Sequence, residues 1–316
     1  MPNTSAVKVL ALLRKRNARH KFKDLAKLSK LSYQELAHAI AEARKLVPNL
    51  VFAKFDKTYY LCETPTWYSN QTDLSHLPLE GEIGVVSDTH LCSDAERLDI
   101  VRYAYDEFAR RGVTTVFHVG DLMDGENVYR GHNQFVKVHG AQAQAKYFIE
   151  KYPKREGITT YAISGNHDCE SFLKTGVDQA SLVVNGFWHE GRQVEGRKDI
   201  VYLGQYAHRI ILPQEVTVEL LHPRGNNSYA LSYKQQKRSE AMDRNLRPDV
   251  QLSGHFHMYS HVWLQGTHMV ACFGLQDETE FFKRLGLPRG MGFMVLRYRI
   301  RKGVLVMLSP EVFAVQ

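Results

Sequence analysis

Cysteine is scarce in this chain of 316 residues, and the four that occur, Cys62, Cys92, Cys169 and Cys272, lie far apart with no C-x-x-C. Such spacing excludes a zinc ribbon or a disulfide framework and suits a reducing compartment, so a cytoplasmic location is expected. No apolar run approaches the roughly 20 residues that cross a bilayer, so no membrane contact is expected. The opening "MPNTSAVKVLALLRKRN" lacks an apolar stretch followed by a small-residue cleavage site, and no signal peptide is read there. Internal repeats and low-complexity tracts are absent too. What remains, 44% hydrophobic and 24% charged, is the composition of a soluble globular protein with room for one large domain and one small one, or for two of medium size.

Charge is unevenly placed. Residues 1–60 carry 13 Lys/Arg against 4 Asp/Glu, while the other 256 residues carry 28 against 30, so the net +7 belongs to the first segment. That is a footprint for binding a polyanion, or else the solvated face of a small helical domain. Segment 5–19, "SAVKVLALLRKRNAR", repeats apolar residues at helical spacing (Val9, Leu12, Leu13) with its basic residues at the end that suits the helix dipole. Segment 22–30 predicts a second helix. At Ser32–Glu35, "SYQE" fits a capping box, so a third helix starts there with Leu36, Ile40 and Val47 inward. "LVFAKF", the turn "DK" and "TYYLC" then predict a β-hairpin.

This order resembles a winged helix-turn-helix over residues 1–62. The resemblance implies that Tyr33, Gln34, His38 and Lys45 face outward on the third helix, where they could enter a major groove of DNA. Lys54 and Lys57, on the wing, could touch phosphate. The same fold can also serve only to dock a protein. Residues 63–80 lack a sustained period and read as a linker, partly packed through Trp67 and Tyr68.

From residue 81 onward, in the 81–316 domain, strands alternate with helices. "EIGVVSD", "TTVFHVGD", "TTYAISGN" and "DVQLSG" read as strands, the stretch 199–221 as strand-rich, and 94–111, 134–151 and 229–246 as helices. A hairpin-like tail, "GFMVLRYRIRKGVLVMLS", closes an α/β layered domain with added antiparallel pairing.

Five apolar stretches end in polar residues. "VVSDTH" supplies Asp88 and His90, "FHVGDLMD" Asp121 and Asp124, "ISGNHD" Asn166, His167 and Asp168, "VELLHP" His222, and "QLSGHFH" His255 and His257. In open α/β sheets ligands collect at the carboxyl ends of strands, and these groups would meet there. On a regular strand, residues spaced as Asp88/His90 and His255/His257 share a face. Mixed oxygen and nitrogen ligands suit Mn, Fe, Zn or Ni better than Mg or Ca. More ligands are present than one ion needs. Two ions roughly 3.5–4 Å apart stabilise attacking and leaving oxygens of a phosphoryl displacement and generate hydroxide. An unligated histidine beside them could protonate the leaving oxygen.

The blocks "DTH", "GDLMD", "GNHD", "LHP" and "GHFH", in that order over about residues 82–275, resemble the calcineurin-like metallophosphoesterase superfamily. The resemblance implies a layered β-sandwich flanked by helices and a centre of two divalent ions, Mn2+ foremost, with Fe, Zn or Ni as alternatives. It implies that Asp88, His90 and His257 hold one ion, that Asn166, His222 and His255 hold the other, and that Asp121 bridges them. His167 would act as acid or transition-state stabiliser, oriented by Asp124. Asp168 is expected as a helix cap or supporting group. His132 and His139 could line the cleft, while His118, His189, His208, His261 and His268 lack ligand spacing. Protein phosphatases of the superfamily carry Arg-Gly after G-D-x-x-D and usually Glu after G-N-H, whereas this chain has "GDLMDGE" and "GNHD". The SbcD-type nucleases share the wording "GDL" and "GNHD" but lack a basic amino-terminal winged helix of this kind.

Three functions follow as expectations. One is a metal-dependent DNA nuclease or phosphodiesterase to which the amino-terminal domain delivers DNA, with Arg224, Asn226, Asn227, Tyr229 and Lys234 touching phosphate or sugar. The second is a small-molecule phosphatase or cyclic-nucleotide phosphodiesterase. The third is a non-enzymatic DNA-binding regulator with a relict metal site. The sequence leaves open a homo-oligomer.

Overall fold

The structure is a computed structural model that describes residues 3–15, 18–47, 49–54, 56–61, 71–225, 228, 230–286 and 289–315. Its amino-terminal unit runs α1 (Thr4–Leu13), β1 (His20–Lys21), α2 (Phe22–Ser29), α3 (Tyr33–Leu46), β2 (Leu50–Ala53) and β3 (Thr58–Leu61). The strands form one antiparallel sheet in the order β1-β3-β2. The capping box is present: Ser32 Oγ accepts from Glu35 N–H and Glu35 Oε2 accepts from Ser32 N–H. Leu36 and Ile40 point inward as expected and join Ala6, Val9, Leu10 and Leu13 in one small core, with Val47 half-buried at its margin. The first helix is shorter than the expected 5–19. It ends at Leu13, because the basic residues that follow have no apolar partner to continue the buried stripe.

The larger unit starts earlier than expected. Residues 62–70, with Trp67 and Tyr68, lie outside the described residues, but Gln71–Asp73 of the expected linker forms β4, an edge strand. Then come β5 (Glu80–Val86), α4 (Leu98–Arg110), β6 (Thr115–Val119), α5 (Ala141–Lys151), β7 (Thr159–Ser164), α6 (Asn166–Thr175) and α7 (Gln179–Asn185). The small hairpin β8 (Phe187–His189) and β9 (Arg192–Val194) leads to β10 (Ile200–Gln205), β11 (Ala207–Ile211) and β12 (Thr217–Leu221). The chain closes with α8 (Tyr233–Ala241), β13 (Val250–Ser253), β14 (Ser260–Leu264), β15 (Thr267–Ala271), α9 (Glu280–Leu285), β16 (Met291–Arg301) and β17 (Val304–Val315). The helix expected over 134–151 begins only after Gly140, with a 3-10 turn at His132–Phe135 before it, and that expected over 229–246 is the shorter α8.

Two six-stranded sheets, ordered β10-β7-β6-β5-β16-β17 and β14-β15-β13-β12-β11-β4, face each other. Ile83, Val85, Phe117, Val119 and Ile163 of the first meet Ile210, Val218, Leu220, Leu252 and Val270 of the second. The first sheet's other face packs on α4 and α5 through Tyr105, Phe108 and Phe148. Every residue of β6 is buried, as a parallel strand covered on both faces requires. This is the mixed α/β architecture expected, a sandwich with flanking helices. The carboxyl ends of β5, β6, β7, β12 and β13 lie along one pole, because these strands are parallel within their sheets.

The amino-terminal unit docks at the other pole. Arg44 of α3 pairs with Glu215, in the turn before β12, at 2.6 Å and with Asp73 at 3.4 Å. Tyr59 donates to Glu215 at 3.0 Å, and Lys54 pairs with Asp249, the residue before β13, at 2.5 Å. Asp249 and His255 flank opposite ends of the four-residue β13.

Candidate metal centre

Each candidate ligand sits just beyond a strand end, and five of the seven are held by an uncommon backbone shape. Asp88, His90, Asp121, His255 and His257 all have positive φ, between 41° and 78°. A non-glycine residue there costs on the order of 1–3 kcal/mol, so the surrounding core must hold these turns in place. The two spaced pairs are therefore not on regular strands, as expected, because β5 ends at Val86 and β13 at Ser253. They still converge, by left-handed turns rather than by the pleat. Glycines make the convergence possible. Gly120 has φ 94° and lies against the His222 imidazole, and a Cβ on Gly165 would strike the Asp121 carboxylate.

Two nests of side chains result. Asp88, His90 and His257 form one, and Asp121, His222 and His255 the other, each buried or nearly so. His90 Nδ1 donates to Asp124 Oδ1 at 3.0 Å, so its Nε2 carries a lone pair, and that Nε2 faces His257 Nε2 at 3.3 Å. His222 Nδ1 donates to the Val119 carbonyl at 2.7 Å. Its Nε2 then meets Asp121 Oδ2 at 3.1 Å and Asn166 Oδ1 at 3.2 Å. His255 Nε2 donates to the Gly225 carbonyl at 2.7 Å, which leaves Nδ1 as its ligand atom. The inner nitrogens thus face carboxylate, amide and imidazole partners, an arrangement that a proton or a metal ion between them stabilises. The donor set therefore fits divalent ions of the nitrogen-tolerant kind, and the hydrogen bonds that fix His90, His222 and His255 are those a ligating histidine needs.

The electrostatics point the same way. Burial alone would lower His222, but Asp121 and Asp88 outweigh it and push it up to about 9. His167 rises to about 10: burial opposes the shift, and Asp121 and Asp124 overcome it. Burial would raise the Asp88 carboxyl, yet His257 and His222 hold it down at about 2. In the absence of an ion, imidazolium protons supply the positive charge that the carboxylates demand.

Supporting groups are equally specific. Asp168 is the expected helix-capping group: its carboxylate accepts from the backbone N–H of Gly165, Leu122 and Met123, which clamps the GDLMD loop to the GNHD turn. Burial, with Asp121 nearby, raises its carboxyl to about 7. His167 N–H donates to Asp121 Oδ1 at 2.8 Å, and His167 Nδ1 donates to the Asp124 carbonyl at 2.7 Å. His132 is buried beside them, whereas His139 is exposed and bound to Glu126. The cleft above, of roughly 210 Å3, is walled by Tyr129, Phe135, Phe281 and Phe282. Sequence reasoning missed this wall; the only signal was the aromatic pair in "ETEFFKRLG".

Toward the basic end the outcome is mixed. Tyr33, Gln34, His38, Lys45 and Lys57 are exposed. Lys54 is not an outward phosphate contact but is turned into the seam against Asp249, because that buried-side carboxylate is the nearer anion. Arg224 pairs with Glu170 at 2.7 Å, and Lys234 donates to the Arg224 carbonyl at 3.3 Å. Asn226, Asn227 and Tyr229 lie outside the described residues.

The sequence model of the calcineurin-like phosphoesterase superfamily domain matches residues 82–272. The chain belongs to that superfamily. A curated relative, the DNA polymerase II small subunit of Archaeoglobus fulgidus, is 25% identical over 266 residues, 70% of this chain. The match covers 53% of that relative, so the chain spans about half its length. A solved structure described as a novel archaeal phosphodiesterase aligns with 74% of this chain and 100% of its own, at 14% identity and TM-score 0.39. Vacuolar protein sorting 29 from Cryptosporidium parvum aligns with 74% of this chain and 98% of its own, at 12% identity and TM-score 0.36. Among the described residues no helix is long and apolar enough to cross a membrane.

Proposed function

We propose that this superfamily member is a dinuclear metal-dependent phosphodiesterase acting on DNA. The observation that carries the reading is the convergence of seven side chains of metal-ligating kind at the carboxyl ends of five strands. Asp88, His90 and His257 would hold one divalent ion, Asn166, His222 and His255 the other, with Asp121 shared; Mn2+ is the first choice. Such a pair of ions supplies hydroxide at neutral pH and neutralises charge on the phosphoryl oxygens. His167 holds a proton at the cleft and donates it to the leaving oxygen, its ring fixed by the Asp124 carbonyl. Asp124 orients His90 and His167 together.

The DNA assignment draws on the basic first segment, on its winged-helix element order, and on the relative that is a DNA polymerase subunit. The exposed Tyr33, Gln34, His38, Lys45 and Lys57 are its proposed contacts, in a cytoplasmic protein. One observation favours a second reading, a small-molecule phosphatase or cyclic-nucleotide phosphodiesterase: the cleft is small and the amino-terminal unit docks at the far pole. A relict site is disfavoured by the complete ligand set.

The test compares labelled DNA, bis-(p-nitrophenyl) phosphate and monoesters in one Mn2+ buffer. Diester and DNA cleavage that Asp121→Asn abolishes is the expected result. No diester turnover with Mn2+, Ni2+ or Zn2+ would remove the nuclease reading, and turnover of monoesters alone would install the second.

A further inference from the structure

The seam between the amino-terminal unit and the sandwich encloses a groove of roughly 860 Å3, four times the volume of the metal cleft and at the opposite pole. Its floor is apolar and aromatic: Phe22, Phe52, Ile40, Leu77, Leu79 and Val304. Phe22 and Phe52 are half-buried, and each packs against Tyr59, at 6.2 and 4.9 Å between ring centroids. Its acids are Asp73, Glu215 and Asp249, and all three are engaged by Arg44 or Lys54. Lys21, Lys23, Lys57 and Lys302 remain, exposed on the rim and without an acidic partner among the described residues. Positive charge around a stacking floor calls for an anion that also carries flat apolar faces.

We infer that this groove binds a single strand of nucleic acid, its phosphates on Lys21, Lys23, Lys57 and Lys302 and its bases against Phe22 and Phe52. An unpaired strand fits because only splayed bases can reach aromatic rings inside a groove, whereas a duplex keeps its bases stacked. The inference rests on the reading of the chain as a nucleic-acid phosphodiesterase. It adds to that reading a holding site at the opposite end of β13 from the metal centre, separate from the exposed face of α3. A strand held there is cut several nucleotides away from its grip.

The test is fluorescence anisotropy of full-length protein with a labelled oligothymidylate in EDTA, where no hydrolysis can occur. Wild type is expected to bind with a steep salt dependence. The Lys21→Gln/Lys23→Gln/Lys302→Gln variant, altered only at exposed positions, should bind at least tenfold more weakly and lose about 2 from the slope of log K against log salt, at about 0.7 per phosphate contact. Phe52→Leu keeps an apolar residue in place and should still weaken binding about tenfold, since a base–aromatic stack is lost. Hydrolysis of bis-(p-nitrophenyl) phosphate with Mn2+ should be unchanged in both variants. Equal binding of oligothymidylate by wild type and variants, an equal loss of duplex binding in the variants, or displacement by polyglutamate as readily as by oligothymidylate would each overturn the inference. A wild type that binds the oligonucleotide but hydrolyses no diester would leave the groove standing and remove only the catalytic reading.

Discussion

His132 Nε2 donates to Asp124 Oδ2 at 3.0 Å, while Asp124 Oδ1 accepts from His90 Nδ1 at the same 3.0 Å. The proton on His132 is placed by the Val128 N–H, which points to Nδ1 at 3.4 Å. One carboxylate therefore joins a ring that would hold an ion to a ring whose two nitrogens are both engaged elsewhere. Asp124→Asn should lower Mn2+ affinity 10- to 100-fold, the usual loss when a ligand's orienting partner is removed. His132→Phe should lower it less. Titration of the purified variants with Mn2+ decides, and two unchanged affinities would show that His90 is held by something else.

His167 should separate two classes of substrate. If it gives its proton to the leaving oxygen, His167→Asn retains bound metal and slows DNA cleavage about 10²- to 10⁴-fold. Release of p-nitrophenolate needs no proton, so the synthetic diester should lose far less. Equal losses on both substrates would assign His167 to holding the loop.

Gly165 should tolerate no side chain. A methyl group there collides with the Asp121 carboxylate, so Gly165→Ala is expected to cost about 1–3 kcal/mol by overpacking and to abolish the shared ligand's geometry. Denaturant unfolding and metal content read the two effects. A variant with native stability and full metal content would show that the loop moves freely.

Arg44 and Glu215 should behave as a buried pair, their side chains being only 4% and 16% exposed. Arg44→Ala strands the carboxylates and should destabilise the seam by roughly 3 kcal/mol. Arg44→Met with Glu215→Leu should recover most of that loss. Urea unfolding of the three proteins checks it, and no difference between single and double variants would show that the pair is solvated.

His208 makes a prediction about acid. It is buried on β11 with Nε2 2.9 Å from Thr72 Oγ1, and burial pushes it down to about 4. The unfolded chain takes up that proton below about 6.5, the folded chain only near 4, so the unfolded state binds more protons between the two. Stability from this group is complete above pH 6.5 and is lost as the pH falls toward 4, by roughly 3 kcal/mol at most. His208→Gln should unfold with a smaller stability difference between pH 7 and pH 5 than wild type. An identical difference would mean that His208 titrates normally in the fold.

The five polar blocks were legible because metal chemistry depends on residue identity: only Asp, His and Asn of that kind serve, whatever backbone carries them. The buried strands were legible for a similar reason, since parallel strands covered on both faces read as continuous apolar runs, as β6 does. The left-handed turns at Asp88 and His257 were not, because five strained positions survive only when a completed core surrounds them. His132 was open in the sequence, its place in the site depending on a 3-10 turn that brings it back to Asp124.

The sequence by itself determined the ligand types, the alternation of strands and helices from residue 81, and the basic excess of the first 60 residues, all of which are properties of single residues or of near neighbours. Only the tertiary structure decided which nitrogen of each imidazole is free, that Lys54 turns inward to Asp249, and that the amino-terminal unit docks opposite the metal cleft. Those are pairings between residues far apart in the chain, such as Arg44 and Glu215, and no local pattern encodes which distant carboxylate a cation will meet.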